Sequence, residues 1–525
     1  MRPRWVSCVV AMALLTAIGI GTLHAETRPV KEWTILVYLA ADNDLAPFGL
    51  DDINEMEVVG SSDEVNIVVQ WDGSHQYSPG FGGSARYYIE RDDCMETISS
   101  PIIEDLGEVD MGCRQTLIDF LEWGLTEFPA KRTFLVMWNH GNGWYQDIET
   151  SPLDFTSPHD VQELVEAVEV IQGGGRAELE RIVYARRIRE LMRIHTAIRP
   201  FGSSAGRRRR TEGPSRLIAY DEGGDEMTAL STTDVREALE AVSHLLPDGR
   251  MEFVGFDACL MGMVEVMHEL RDVARWSIAS QKVEPGGGWA YDWFLAPLIA
   301  DPYMDTLTLG QVIIDTYTER YAQWNEQVPN PFHKVNGTLA MVDLDEIGAL
   351  TTALENLGSA LAARPELRQS VWRATIETQH CGEIARIEPT VLLMHTAHRD
   401  VEHFAENIKR FIDDPAIHAL ADEVILASQM AVKYFRLLEG TPLMGVPNAT
   451  GLAVFIPFLQ LDPTYADLHM GQGPWAEFLD WFKSTPAEAQ QLIAIMTGAG
   501  QREAEEAEQA QQGRFDELHG YAQEQ

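Results

Sequence analysis

Two residues in this chain could carry covalent chemistry together, Cys259 and His140. Cys259 stands in Phe256-Asp257-Ala258-Cys259-Leu260-Met261-Gly262, after the apolar run Glu252–Phe256 and before the helical pattern MVEVMHEL. His140 stands in Trp138-Asn139-His140-Gly141-Asn142-Gly143-Trp144, directly after the run Arg132–Trp138. A thiol at a strand-to-helix turn is expected to feel the partial positive charge of the helix N-terminus, which favours thiolate. A histidine on a glycine-rich turn can approach it without steric obstruction. Nucleophile, proton carrier and glycine-flanked amides free to hold an oxyanion together suit acyl transfer. Taken singly, the Cys reads as a core thiol and the His as a structural or solvated turn residue. Their joint occurrence at two strand ends is what points to chemistry.

The elements that must position them alternate in type. Trp33–Ala40, Val65–Gln70, Ala85–Glu90, Arg132–Trp138, Glu252–Phe256 and Trp276–Ala279 read as strands, the third weaker and alternating. Between them lie amphipathic helical patterns, as at Leu117, Phe120, Leu121 and Leu125. Continuous apolar strands interleaved with such helices predict an α/β fold, a mostly parallel sheet covered on both faces. Working residues in such sheets collect past the carboxyl ends of the strands. A strand at TLAMVDL, several helices and a second strand at GLAVFIPF predict a C-terminal α/β extension over 301–500, following a core over 26–300. The Glu-, Gln- and Ala-rich tail at 501–525 is read as polar and fraying, or as a solvated helix.

The rhythm breaks over about 147–216. Its second part, Arg176–Arg216, holds twelve arginines and four glutamates, inside a chain of 525 residues whose formal charge is -41. That overall acidity argues against nucleic acid and anionic lipid as partners and favours basic peptides, cations or a high-salt habitat. At the N-terminus, Arg2 and Arg4, an apolar run from Trp5 to Ile20 and Leu23-His24-Ala25 predict a signal peptide cleaved after Ala25. The expected location is therefore secreted or periplasmic, with no membrane association after signal removal; the other reading is an uncleaved anchor. Cys94 and Cys113 read either as a loop disulfide or as two buried thiols, and Cys381 as a core thiol.

The WNHGNGW and FDACLMG segments resemble the His and Cys motifs of the clostripain family (peptidase family C11), cysteine peptidases with a caspase-like α/β core. WTILVYLAADNDL, IASQKVEPGGGWAYDWF and TGLAVFIPF are similar to that family too, so the resemblance runs from about Trp33 to Phe482. It implies His140 as catalytic histidine, Cys259 as nucleophile, and the backbone N–H groups of Gly141 and Cys259 as oxyanion donors. It also implies cleavage after Arg, less often Lys, with Asp257 as the S1 carboxylate; an ionised Asp pairs well with a planar guanidinium. The plainer reading of Asp257 is a turn or helix N-cap residue. Glu284 and Asp292 are further candidates to complete the pocket. No third acidic residue is expected to orient the histidine.

Relatives are commonly matured by self-cleavage between the catalytic His and Cys. Here 118 residues separate the two, and the insert carries four consecutive arginines. Arg207, Arg208, Arg209 and Arg210 thus become the expected processing site. The other reading is a solvated basic face or a docking arm. Calcium is a possible structural or activating ion by the same resemblance. Asp42, Asp44, Asp51 and Asp52 cluster after the first strand, but no EF-hand spacing occurs and no metal site is assigned. Two rival functions stand beside the peptidase. One is a catalytically silent caspase-like binding module for basic peptides. The other is a serine hydrolase using Ser204 in Gly202-Ser203-Ser204-Ala205-Gly206, a motif that here lacks the strand it should follow.

Overall fold

Strands buried on both faces have no polar side to show to water, so they must sit in the middle of a sheet with helices above and below. A computed structural model of the chain, describing residues 28–144, 218–223, 227–330, 334–382, 397–440, 445–458 and 461–484, has this arrangement. The signal segment, the arginine-rich insert and the polar tail lie outside the described residues. So, with the insert, do Ser204 and all four arginines of the expected processing site, Arg207, Arg208, Arg209 and Arg210.

The first part of the chain runs β1 (Lys31–Ala41), α1 (Ala46–Val59), β2 (Val65–Gly73), β3 (Gly83–Tyr88), β4 (Ile102–Gly107), α2 (Arg114–Glu127) and β5 (Ala130–Trp138). Beyond the insert come β6 (Ile218–Asp221), β7 (Thr228–Leu230), α3 (Thr232–Val242), β8 (Met251–Asp257), α4 (Val264–Leu270), β9 (Ala274–Ala279), α5 (Tyr291–Ala300) and α6 (Thr306–Gln327). The last part is β10 (Gly337–Asp343), α7 (Ile347–Ala362), α8 (Arg368–Glu377), β11 (His398–Asp400), α9 (Val401–Phe411), α10 (Pro415–Ala431), β12 (Val432–Leu438), β13 (Ala453–Phe455) and α11 (Pro474–Phe482).

Among the described residues the main sheet has the order β12-β10-β9-β8-β5-β1-β2-β3-β4. The five central strands, β9 to β2, are mutually parallel, and the two at each edge are antiparallel. Alternate side chains of β1 feed two cores. Leu36, Tyr38 and Ala40 join α2, α3 and the C-terminal helices on one face. Trp33, Ile35, Val37 and Leu39 join α1, α5 and α6 on the other. Helix starts are fixed locally: Ser231 and Asp234 form a reciprocal capping box on α3, and the Asp305 carboxylate accepts the Thr308 N–H at 2.8 Å on α6.

Seven strands differ from the sequence expectation, three of them, the short β6, β7 and β11, having no counterpart in it. The Ala85–Glu90 strand shifts to Gly83–Tyr88 and runs antiparallel. Strand β4 (IIEDLG) is an exposed, acid-bearing edge with no apolar period to reveal it. Strand β12 follows α10 without a turn residue between them, which hides the change of period. The GLAVFIPF run shortens to Ala453–Phe455, paired with β11 outside the main sheet. Cys94 and Cys113 are separate exposed thiols, neither bonded nor buried, whereas Cys381 is fully buried.

Candidate active site

Parallel register brings the two motifs together. Strands β5 and β8 are neighbours, and Trp138 pairs with Asp257 in the last rung. The Asn139 N–H donates to the Asp257 carbonyl at 3.3 Å, carrying the pairing one residue further. His140 and Cys259 are each the second residue beyond that rung, at the carboxyl edge of adjacent strands. The following glycine closes the contact: a Cβ on Gly141 would lie 2.3 Å from the Cys259 carbonyl oxygen and 3.1 Å from its nitrogen. Only hydrogen fits there, so the WNHG motif needs glycine at this position.

Both turns are held from below. Asn139 donates through Nδ2 to the carbonyls of Ala40 and Tyr220. The Trp138 indole N–H donates to Asp52 Oδ2 at 2.7 Å. Trp144, fully buried, meets Phe455 and Tyr465 edge-on. On the other strand, Leu260 takes φ 62°, a left-handed conformation that an L side chain holds only under surrounding constraint. The constraint comes from the loop after β9: Leu260 N donates to Lys282 O at 3.0 Å and Gly262 N to Ser280 O at 2.7 Å.

This turn corrects the expected thiol environment. Helix α4 begins at Val264, five residues past the cysteine, so its N-terminus does not cradle the sulfur. Instead the Glu284 N–H donates to Cys259 Sγ at 3.3 Å. Cys259 is only partly buried.

A carboxylate does lie on the histidine, contrary to the expectation of none: His140 Nε2 and Asp44 Oδ1 are 2.8 Å apart. The four aspartates after β1 thus part company. Asp44 meets His140, Asp52 meets Trp138, Asp51 is exposed, and Asp42 joins a separate acidic group.

Asp257 is buried beneath the turn Pro285–Trp289. Its Oδ2 accepts from the Trp289 N–H at 3.1 Å and the Tyr291 hydroxyl at 2.9 Å. Gly288, at φ 51°, leaves room for it, since a Cβ there would come within 2.8 Å of the carboxylate. Burial pushes the Asp257 carboxyl up to about 6, against these donors. Glu284 lies beside it and is raised well above the usual carboxylate range, by burial first and then by the charge of Asp257. The proton therefore rests on Glu284, while Asp257 carries the charge at neutral pH. Asp292 lies in the first turn of α5, where its electrostatic neighbours are Arg320 and Glu55. Its carboxyl is raised, chiefly by burial.

A cysteine and a histidine, each two residues past one rung of adjacent parallel strands, with a buried carboxylate two residues before the cysteine, form an arrangement that a caspase-like α/β fold provides. The chain matches the model of the clostripain family (peptidase C11) over residues 37–172 and 202–430, more than half its length, and it belongs to that family. It is a cysteine endopeptidase acting on peptide or protein substrates. A secreted C11 cysteine protease from Bacteroides thetaiotaomicron, solved with an irreversible peptide inhibitor, shares the fold at TM-score 0.54 and 17% identity. That likeness covers 86% of this chain and 99% of the other. An inactive zymogen C11 protease from Parabacteroides distasonis is similar at TM-score 0.52 and 16% identity, covering 85% and 98%. No curated protein is a significant sequence match to the chain. Among the described residues no helix is long and apolar enough to cross a membrane.

Proposed function

We propose that this peptidase is exported and cleaves after basic residues, Arg above Lys, through a Cys259–His140 dyad. The observation that carries the reading is the register that sets both residues two positions beyond one rung of β5 and β8. With Nε2–H held by Asp44, the other ring nitrogen of His140 takes the proton of Cys259. The thiolate forms a bond to the scissile carbonyl carbon, and the resulting oxyanion is received by the N–H groups of Gly141 and Cys259. His140 returns the proton to the departing amine as the C–N bond breaks. It then deprotonates the water that hydrolyses the acyl-enzyme and restores the thiol. The guanidinium of the residue before the cut meets Asp257, with Glu284 as its neutral neighbour and Asp292 as an outer charge.

Self-cleavage in the insert, after one of Arg207, Arg208, Arg209 and Arg210, is supported by two features. The catalytic pair flanks that stretch in sequence, and one structural relative is described as a zymogen. Export is supported by the charged, apolar and small-residue order of the first 25 residues, and by relatives described as secreted.

A fluorogenic Arg-peptide assay with and without thiol alkylation tests the chemistry. Wild type should be active, and inactive after alkylation; activity that survives alkylation eliminates the thiol mechanism. Mass spectrometry of the purified protein should find loss of residues 1–25 and a cut behind arginine within 147–216. Cys259→Ala should remain a single chain, and the same two-chain product from that variant rules out self-processing.

A further inference from the structure

Three consecutive glycines follow Pro285, and each lies against a side chain from a different element. A Cβ on Gly286 would stand 3.3 Å from Cζ of Phe48, one on Gly287 3.2 Å from the Tyr321 hydroxyl, and one on Gly288 2.8 Å from the Asp257 carboxylate. The turn after β9 is thus threaded between α1, α6 and β8. Two of these neighbours have an evident task. Tyr321 donates to the Gly288 carbonyl at 2.9 Å, and Asp257 is the proposed S1 carboxylate. The third, Phe48, is an aromatic ring left 37% exposed.

The place of Phe48 is fixed from both catalytic residues. It is four residues after Asp44, whose carboxylate lies on His140. Its neighbour Gly286 is two residues after Glu284, whose N–H donates to Cys259 Sγ at 3.3 Å. On α1, Phe48, Asp52 and Glu55 share one face, at i, i+4 and i+7. That face follows the turn inward. Asp52 is buried close enough to Asp257 to feel its charge, and Glu55 Oε2 accepts the Tyr291 N–H at 3.1 Å while pairing with Arg320. The wall therefore passes from apolar and open at Phe48 to acidic and buried at Asp52 and Glu55.

An exposed ring in front of buried carboxylates suits one kind of side chain: long, apolar along its stem and cationic at its end. We infer that Phe48 is the outer wall of the S1 pocket, where its ring packs on the side chain of the residue before the cut and favours Arg over Lys. The inference rests on the reading of Asp257 as the S1 carboxylate. Asp257 supplies charge for either cation, and the ring adds a contact that Arg uses more fully. A guanidinium is planar and weakly hydrated, so it stacks on an aromatic face, whereas an ammonium is compact and holds its water.

The test is kcat/KM for peptides that differ only at the residue before the cut, Arg or Lys, each made with Ala or Leu one position further upstream. Phe48→Ala should lower the value for Arg about tenfold and for Lys about threefold or less, mainly through KM, whichever upstream residue is present. Phe48→Leu, which keeps an apolar contact for Gly286, should narrow the Arg-to-Lys ratio in the same direction, and Phe48→Tyr should retain it. Wild-type ratios in both Phe48→Ala and Phe48→Leu overturn the inference. So does an equal loss on Arg and Lys, or a loss that follows the upstream residue. Asp257→Asn, measured beside them, separates the two readings. If it keeps the preference for Arg, the pocket reading fails and this inference with it. If it loses that preference while the Phe48 variants keep theirs, only the role of Phe48 is overturned.

Discussion

Asp44 reaches His140 across 96 residues of sequence. No local spacing connects them, and among four nearby aspartates nothing in residue type distinguishes the one that turns toward the imidazole. The Cys259–His140 pair was legible because each stands at the end of an apolar run beside glycines that only a tight approach demands. Asp257 was legible as a carboxylate near the thiol, whereas its protonated companion, Glu284, is defined by burial that sequence does not display. In the proposed dyad mechanism Asp44 is a positioning residue for His140. Asp44→Asn should lower kcat by about 10–100-fold with little change in KM, and Asp44→Glu should recover part of it. An effect confined to KM would contradict the orienting role. For the pocket, Asp257 ionises at about 6, so acidification removes its charge as pH falls through that value. kcat/KM for Arg substrates should drop below about pH 6 more steeply than for substrates with a neutral residue before the cut. Asp257→Asn should abolish that difference and cost about 100-fold on Arg substrates. Identical acid limbs for the two substrates would refute the assignment.

At the scale of elements, the parallel strands announced themselves by continuous apolar runs, while β4 and β12 did not. An edge strand needs only one protected face, so its sequence drifts toward that of a loop or a helix end. The contact of α4 with the C-terminal region carries a titration that can be followed. Glu265 is fully buried, accepting from the Phe455 N–H at 2.9 Å and the Tyr465 hydroxyl at 3.3 Å, and burial raises its carboxyl to about 7. The folded state therefore holds a proton that the unfolded chain, with an ordinary glutamate, releases near 4.5. Stability from this group is complete below about 4.5, declines as pH rises toward about 7, and is flat above. The full cost is on the order of 3 kcal/mol. Glu265→Gln should lose this slope, gaining about 2 kcal/mol relative to wild type between pH 5 and pH 8 in denaturant titrations. Parallel pH profiles for the two proteins would show that Glu265 does not titrate in this range.

For the whole molecule, a formal charge of -41 should favour encounter with basic chains over acidic ones. For a peptide with several arginines, kcat/KM should fall several-fold as ionic strength rises from about 0.02 to 0.2 M, chiefly through association rate. A peptide of neutral flanks should respond weakly, and equal salt dependence for both would exclude steering. The antiparallel pairs of β10 and β12 also tie the C-terminal half into the main sheet, so the two halves of the chain share one sheet.

Strand order has a further implication. Strand β5 lies between β1, which precedes it, and β8, which arrives only after the insert. Severing the chain between residues 145 and 217 would leave each fragment contributing strands to the same interior, interlocked and unable to separate without exposing it. Assembly is thus a task for the uncut polypeptide. Once nicked and denatured, the molecule would have to find its other piece by diffusion, so its lifetime is governed by how slowly it opens.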